Sequence, residues 1–257
     1  FGRVTMEFFP VRNSGTVTFG ENTLVLPAVS IGNVGELAVD ALISGLELKK
    51  VGFLDTDTVL PSCMCDAMAQ PGRERDDGNY GLTTSVEVFQ SVTRKLTVLQ
   101  IRAPVTRRAA FAKALWKWSQ AGKFGDVILL GSASAHIRNE RDFELPTPLR
   151  YFRIPTLDSD DCFGLPRPIK DAGCSPMELC RYLKWAGVSV PLLTERPEDV
   201  PVTYVFALCS EGQNLPVVEA LCQAVWQVLG IDVKFSPQVP SWSFVYGSRA
   251  SHLSLWM

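Results

Sequence analysis

Short apolar runs alternate with amphipathic stretches along most of the chain, a pattern typical of α/β proteins. The first unit predicts a buried strand at 24–30, a helix at 34–46 and a second strand at 49–55. A β-α-β run of this kind predicts two parallel strands joined by a right-handed crossover. Asn33 is placed to cap the helix, and Glu36 three residues later completes a start that resembles a capping box.

The same patterns continue to the last third of the chain. In order, they first predict strands at 83–90 and 95–105, which form a hairpin whose second strand is central, and then a helix at 107–122. A buried strand at 127–130, a short strand at 147–155 and a helix at 175–188 follow. The last predicted elements are a strand at 201–212 and a helix at 214–230. Gly122 and Gly230 are the predicted helix ends, and Ser175 and Asn214 the predicted caps. These elements predict a three-layer α/β/α sandwich with a mixed, mostly parallel sheet.

Domain organisation follows from where these patterns stop. We expect a single α/β domain over 6–247, a tail at 248–257, and Met6 as the native start, with residues 1–5 an upstream extension. The stretch 61–81 is rich in Pro, Gly, Asp and Arg and predicts a mobile surface loop, and 156–175 predicts an irregular acidic segment.

The charge and cysteine content narrow the possible functions. The net charge of −2 over 257 residues argues against a nucleic-acid footprint or a polybasic membrane surface. The 7 cysteines are scattered and odd in number, which indicates reduced thiols rather than a disulfide framework. Cys63 and Cys65 form a C-x-C pair, and Cys174 and Cys180 lie six apart, but neither has the spacing of a structural zinc site.

The Gly32-Asn33-Val34-Gly35 turn raises the question of a phosphate site, because helix N-termini attract anions. The dinucleotide fingerprint needs three glycines, and the phosphate loop of nucleotide-hydrolysing enzymes ends in Gly-Lys-Ser/Thr. Here there are two glycines and no Lys, and Glu36 in the first turn would repel a phosphate. The sequence therefore favours a structural turn.

Two other clusters could carry chemistry. Residues 131–136 bring serines close to His136, but they lack the G-x-S-x-G of a nucleophile elbow, and the other histidine of the chain, His252, is near its end. Acidic pairs follow predicted strands, at Asp55 and Asp57 and again within 158–161, where solvated loop ends are the commoner reading. We therefore expect no catalytic residue, no metal and no cofactor, and a protein that acts through contacts.

Seven stretches give the chain a resemblance to the proteasome assembly chaperone family, from about Met6 to Gly247. They are "LVLPAVSIGNVGELAVDALI", "KKVGFLDTDTVLP", "RKLTVLQIRAPV", "VILLGSASAHIRNE", "TPLRYF", "EGQNLPVVEAL" and "PSWSFVYGS". The opening strand–GNVG–helix and the late "PSW…YGS" block are the most specific of them. The segments 61–81 and 156–175 do not match the family.

The resemblance implies a fold related to purine nucleoside phosphorylases but without their activity. It implies a heterodimer with proteasome assembly chaperone 1 that binds proteasome α subunits, promotes α-ring assembly of the 20S particle and prevents premature pairing of rings. It also implies a location in cytoplasm and nucleus, no ATP, and no nucleic-acid or membrane partner.

The family resemblance gives the C-terminus a possible role. Tails ending in hydrophobic–tyrosine–X enter pockets between α subunits in this family, and the present chain ends Leu255-Trp256-Met257, with Trp in place of Tyr. These three residues are the candidate partner-binding site, and the competing hypothesis is a tail that packs on its own domain or is disordered. Two other functions stay open: a nucleoside- or phosphate-binding enzyme using Gly32–Gly35 and Gly131–His136, and a generic heterodimerising scaffold.

Overall fold

A computed structural model describes residues 4–12, 14–69, 81–138, 140, 143, 147–154, 184, 186–231 and 239–242. Its strands are β1 (Met6–Pro10), β2 (Thr23–Pro27), β3 (Lys49–Thr56), β4 (Cys63–Cys65), β5 (Leu82–Thr84), β6 (Val86–Ser91), β7 (Leu96–Ile101), β8 (Asp126–Ser134), β9 (Leu149–Ile154) and β10 (Val202–Cys209). Its helices are α1 (Val34–Gly45), α2 (Arg108–Gly122), α3 (Ser189–Thr194) and α4 (Leu215–Val228), with 3-10 turns at Ile31–Asn33 and Ala135–Ile137. The predicted helix at 175–188 falls almost entirely outside the described residues.

Eight of the described strands form one mixed sheet in the order β1-β3-β6-β7-β2-β8-β10-β9, and β4 and β5 form a separate two-stranded sheet. The pairings β7-β2, β2-β8 and β8-β10 are parallel, and the remaining pairings of the large sheet are antiparallel. Five of the eight strands consequently run in the same direction as β2. The mixed sheet is confirmed, and β7 is an interior strand as its sequence predicts.

Helices cover both faces of this sheet, which gives the predicted three layers. Alternate residues of each strand point to opposite faces. One face packs against α1 and α4, and its strand residues include Val25, Val98, Ile128, Leu130 and Val205. The other face packs against α2 and α3, and its strand residues include Leu24, Leu26, Leu99, Leu129 and Phe206. Burial of an aliphatic side chain stabilises the folded state by about 1.5–3 kcal/mol, so these strand residues stabilise the packing of the helices on the sheet.

Tryptophan side chains help to pack the helices into the two cores. Trp116 and Trp118 on α2 and Trp226 on α4 are buried in the two cores. The indole N–H of Trp116 donates to the carbonyl oxygen of Leu192 at 2.9 Å and so links α2 to α3. Trp242, which follows the last of these helices in the chain, is also buried, and its indole N–H donates to the carbonyl oxygen of Leu37 at 3.3 Å.

Two local expectations need correction, and a third is confirmed with an addition. The strands β2 and β3 run in the same direction in one sheet, as predicted, but they are not neighbours, because β6 and β7 lie between them. The stretch 61–81 is not a continuous loop: β4 pairs with β5, and Asp66, Ala67 and Met68 are buried, while 70–80 lies outside the described residues. Asn33 and Asn214 occupy N-cap positions, but neither side chain caps its helix.

Candidate functional site: a groove beside the first helix

The GNVG turn is filled by the protein's own atoms. Gly32 has a φ of +68°, and a Cβ there would lie 2.4 Å from the amide nitrogen of Asn214. A Cβ on Gly35 would lie 2.3 Å from the carbonyl oxygen of Leu130, so this glycine allows α1 to pack directly on β8. The turn therefore connects β2 to α1 in close contact with β8, α4 and its preceding loop, which supports the structural reading.

The serine-rich end of β8, which extends four residues beyond the strand predicted at 127–130, is likewise used for packing. Ser132 is fully buried, its Oγ donates to the carbonyl oxygen of Ile31, and its backbone N–H donates to Ser30 Oγ at 2.9 Å. Ser134 Oγ accepts a hydrogen bond from the backbone N–H of His136. The imidazole of His136 is exposed, and no serine hydroxyl of the described residues forms a hydrogen bond with it. This part of the described chain shows no nucleophile–base pair, and His252 lies outside it.

The acidic and cysteine candidates do not converge either. Asp57 forms an exposed ion pair with Arg107, and Asp55 is exposed. Cys63 and Cys65 are exposed free thiols on β4. Within the described residues no group of three or more His, Cys, Asp or Glu side chains could hold a metal ion. The acidic stretch 158–161, Cys174 and Cys180 lie outside these residues.

A groove of about 700 Å³ opens between α1, the end of β7 and the β4–β5 arm. We call it the α1 groove. Most of its wall is apolar, with contributions from every one of these elements: Val29, Leu37, Met64, Ala67, Ile101, Ala103 and Pro104. Its volume is in the range of ordinary ligand pockets.

Charged side chains close one end of the α1 groove. The Arg102 guanidinium donates to both carboxylate oxygens of Asp40, from Nη2 at 2.7 Å and from Nη1 at 3.1 Å. Gln100 Nε2 and Ser241 Oγ also donate to this carboxylate. Burial acts to lower the pKa of Arg102, but the charges of Asp40 and Glu87 outweigh it, and the pKa is raised overall. Asp40 is thus a fully used acceptor that ties α1 to β7.

A second buried ion pair lies next to the Arg102–Asp40 pair. Lys50 on β3 and Glu87 on β6 meet at 2.7 Å, and their side chains are only 5% and 1% exposed. Glu87 Oε2 also lies 3.7 Å from Arg102 Nε. Lys50 additionally donates to the carbonyl oxygen of Leu82, so the same cation holds the β4–β5 arm against the large sheet.

Glu36 is the carboxylate that this network leaves out. It lines the α1 groove one helical turn before Asp40, and its Oε2 is buried without a hydrogen-bond partner. Burial raises the pKa of Glu36 to about 8, a hydrogen bond to its own backbone lowers it in part, and the nearby charge of Asp40 raises it further. A carboxyl group in this position favours its neutral form unless a cation joins it.

The apolar surface continues beyond the mouth of the α1 groove. Leu60, Met64 and Leu82 are 47%, 45% and 50% exposed, respectively. Leu60 N–H donates to the carbonyl oxygen of Pro104, and Leu82 pairs with Cys65, so both lie beside groove residues. An exposed apolar patch that borders a concave surface is typical of a protein interaction site.

The apolar hairpin and the tail differ in what the structure describes of them. The apolar residues of the β6–β7 hairpin lie in the cores and not on a surface: Val86, Val88, Phe89, Leu96, Val98, Leu99 and Ile101. The tail residues Leu255, Trp256 and Met257 lie outside the described residues, so their role stays a prediction. Sequence reasoning placed Glu36 only as a helix-start charge and missed Asp40, although a carboxylate inside the apolar run "LAVDALI" was a usable signal.

No helix among the described residues has both the length and the apolar character needed to cross a membrane.

Comparison with known proteins identifies relatives along nearly the whole chain. The model of the PAC2 family matches residues 24–224. Proteasome assembly chaperone 2 of Danio rerio is 37% identical over 243 residues, covering 88% of this chain and 92% of that protein. The protein of the same name from Nematostella vectensis is 34% identical over 218 residues, covering 79% and 87%. The one from Homo sapiens is 27% identical over 247 residues, covering 88% and 92%.

Solved structures agree on the fold. Pyrococcus furiosus PbaA, described as an archaeal homolog of proteasome-assembly chaperone, superposes with a TM-score of 0.62 at 12% identity, covering 93% of this chain and 92% of that one. Pyrococcus furiosus PbaB, described as an archaeal proteasome activator, gives 0.61 at 14% identity, covering 90% and 91%. At these identities the likeness shows the α/β architecture alone. The relation to purine nucleoside phosphorylases stays a prediction.

Proposed function

Because the chain belongs to the PAC2 family, we propose that it is a non-enzymatic chaperone subunit for assembly of the proteasome. The observation that carries this proposal is the identity of 37% with a proteasome assembly chaperone 2 over 88% of the chain. The structure supports a contact role, since the described polar side chains form packing networks rather than a catalytic set. The glycine turn and Ser132, which an enzyme of phosphorylase type would use, are occupied by internal contacts.

In the full proposal the chain forms a heterodimer with proteasome assembly chaperone 1. The heterodimer binds proteasome α subunits, promotes assembly of the α ring of the 20S particle and keeps two rings from pairing too early. The protein would work in cytoplasm and nucleus and would need no cofactor. Release would follow when the completed particle changes the bound surface.

The tail formed by Leu255, Trp256 and Met257 would add affinity for a pocket between α subunits. A buried Trp covers ~200 Å², which at ~25 cal/mol/Å² corresponds to about 5 kcal/mol before costs. Ordering each tail residue costs about 1–2 kcal/mol, and association itself costs ~4–15 kcal/mol. One tail is therefore too weak alone, and it would act together with the partner's tail and the folded domain through effective concentration.

Co-expression with tagged proteasome assembly chaperone 1 tests the proposal. We expect the two chains to co-purify in equal amounts and to capture α subunits, with neither capturing them as well alone. Titration calorimetry against nucleosides, nucleotides and phosphate tests the enzyme alternative on the same material. Saturable micromolar binding of any of these, without co-purification of α subunits, would overturn the chaperone function in favour of the enzyme.

A further inference from the structure

The acidic and basic side chains around the α1 groove are not matched in number. Three carboxylates, on Glu36, Asp40 and Glu87, face two cations, on Lys50 and Arg102. Asp40 and Glu87 share both cations between them, at the distances given above. Glu36 is left with a buried oxygen that has no partner, although it belongs to the groove lining. A buried carboxylate oxygen without a hydrogen bond is costly, so such a group marks a place where a donor is missing.

The shape of the site indicates how large the molecule is that would bring this hydrogen-bond donor. The groove walls are apolar, and the apolar surface continues outward over Leu60, Met64 and Leu82. A small molecule could fill the cavity but would leave these three side chains uncovered. A protein segment that covers them could place one long side chain in the groove, with apolar neighbours on the rim.

We propose that the α1 groove is a docking site for a lysine or arginine side chain that a partner protein presents between apolar residues. The cation supplies the charge-assisted hydrogen bonds that Glu36 lacks, and its aliphatic stem lies along Leu37 and Ile101. The flanking apolar residues cover the rim on the β4–β5 arm. The inference rests on the proposed function only in taking the chain to act through protein contacts.

Peptide titration followed by NMR of the full chain tests this site directly. The probes are acetylated, amidated peptides with the sequences Leu-Arg-Leu and Leu-Gln-Leu, together with n-butylguanidinium as a free cation. We expect the Leu-Arg-Leu peptide to shift the amide signals of Leu37 and Ala103 and to bind about tenfold or more tightly than Leu-Gln-Leu. Equal affinity for the two peptides would overturn the proposal, and so would n-butylguanidinium binding as tightly as the arginine peptide.

Two pairs of variants separate the charge from the shape of the groove. Glu36→Gln keeps the side-chain shape and should remove the preference for arginine, whereas Glu7→Gln, on exposed β1, should keep it. Cys65→Trp, on the exposed rim, should block both peptides, whereas Cys63→Trp on the same strand should not, because Cys63 does not line the groove. An arginine preference that survives Glu36→Gln contradicts the proposal even if Cys65→Trp blocks binding.

The same variants distinguish a failure here from a failure of the proposed function. Co-purification with proteasome assembly chaperone 1 and with α subunits is measured for wild type, Glu36→Gln and Cys65→Trp. A wild-type chain that captures these partners but shows no arginine preference overturns the groove inference alone. A chain that shows the preference, loses it in Glu36→Gln and captures none of these partners supports the groove and contradicts the proteasome function.

Discussion

At the residue scale, the ionisation of Glu36 has a consequence for stability. Burial raises its pKa from 4.5 to about 8 in the folded protein, while the unfolded chain keeps the lower value. Between these two values the folded state holds a proton that the unfolded state has released. The stabilisation from this proton is complete below pH 4.5 and is lost as the pH rises through 8.

Replacing Glu36 by Gln should therefore stabilise the protein in a pH-dependent way. At pH 8 we expect the free energy of unfolding to rise by on the order of 2 kcal/mol, allowing for the partial exposure of the side chain. At pH 5 the gain should be under about 1 kcal/mol, because the wild-type carboxyl is then largely protonated in the folded state. Urea unfolding of wild type, Glu36→Gln and Glu7→Gln at both pH values measures this. A gain that does not change with pH would contradict it.

The four described cysteines should differ sharply in reactivity. Cys63 and Cys65 are exposed, whereas Cys209 and Cys222 are buried. Burial raises the pKa of both buried thiols, which lowers their thiolate fraction further. N-ethylmaleimide should modify Cys63 and Cys65 in the native chain within minutes and leave Cys209 and Cys222 intact, as peptide mapping by mass spectrometry would detect. If Cys222 were labelled as fast as Cys63, the packing of α4 on α1 would be wrong.

At the scale of elements, the GNVG turn shows how one sequence pattern can serve two purposes. Two glycines before a helix suit a phosphate site and also suit close packing, and the sequence of the turn does not distinguish these two roles. The contacts with Leu130 and Asn214 distinguish them, because these residues are distant in sequence and fill the space that a ligand or a Cβ would need. Gly35 is required because the helix axis lies so close to β8.

Gly35→Ala should accordingly destabilise the protein although alanine favours helices. The added Cβ would meet a backbone carbonyl of β8, so α1 must move away and loosen its contacts with the sheet. We expect a loss of about 1–3 kcal/mol in the free energy of unfolding, the usual cost of overpacking. Gly20→Ala is the control, because a Cβ there meets nothing within 4 Å. Equal stability of the two variants in thermal and urea unfolding would refute the packing role.

The secondary structure was largely predictable, and its arrangement was not. The helix predicted at 34–46 is Val34–Gly45, and the strand predicted at 49–55 is Lys49–Thr56. Hydrophobic period fixes these elements locally, but the insertion of β6 and β7 between β2 and β3 depends on pairings that no local pattern encodes. The strand β4 was missed because three residues are too few to show a period, and most of β5 was merged with β6 in the strand predicted at 83–90.

At the scale of the whole molecule, the candidate site was only partly within reach of the sequence. Glu36 was recognisable as a charge at a helix start, and Asp40 as a carboxylate in an apolar run. Their relation to Lys50, Glu87 and Arg102 arises because β3, β6 and the residue that follows β7 bring these three side chains together beside α1. The groove exists only in the folded molecule, so its carboxyl group without a hydrogen-bond partner could not be foreseen.

The tail prediction also belongs to this scale, because it concerns an assembly. Deletion of Leu255 to Met257 should weaken capture of α subunits by about tenfold or more, since a multivalent complex then loses one of its linked contacts. The heterodimer with proteasome assembly chaperone 1 should form unchanged. Surface plasmon resonance on purified heterodimer measures both. Unchanged capture after deletion would refute the tail, and a Trp256→Ala variant with full-strength capture would exclude its aromatic anchor.

The position of β2 has a further consequence for how the protein is made. This strand ends at Pro27, yet its two neighbours in the sheet are β7 and β8, the latter ending at Ser134. At about 5–20 residues per second, a ribosome needs roughly 5–20 s to complete both partners after β2 has been synthesised. Throughout that time the apolar strand "TLVLP" lacks a complete β8 on one edge, and until Ile101 has been synthesised it lacks a complete partner on both edges. Aggregation therefore competes with folding most strongly during translation, before β8 has left the exit tunnel.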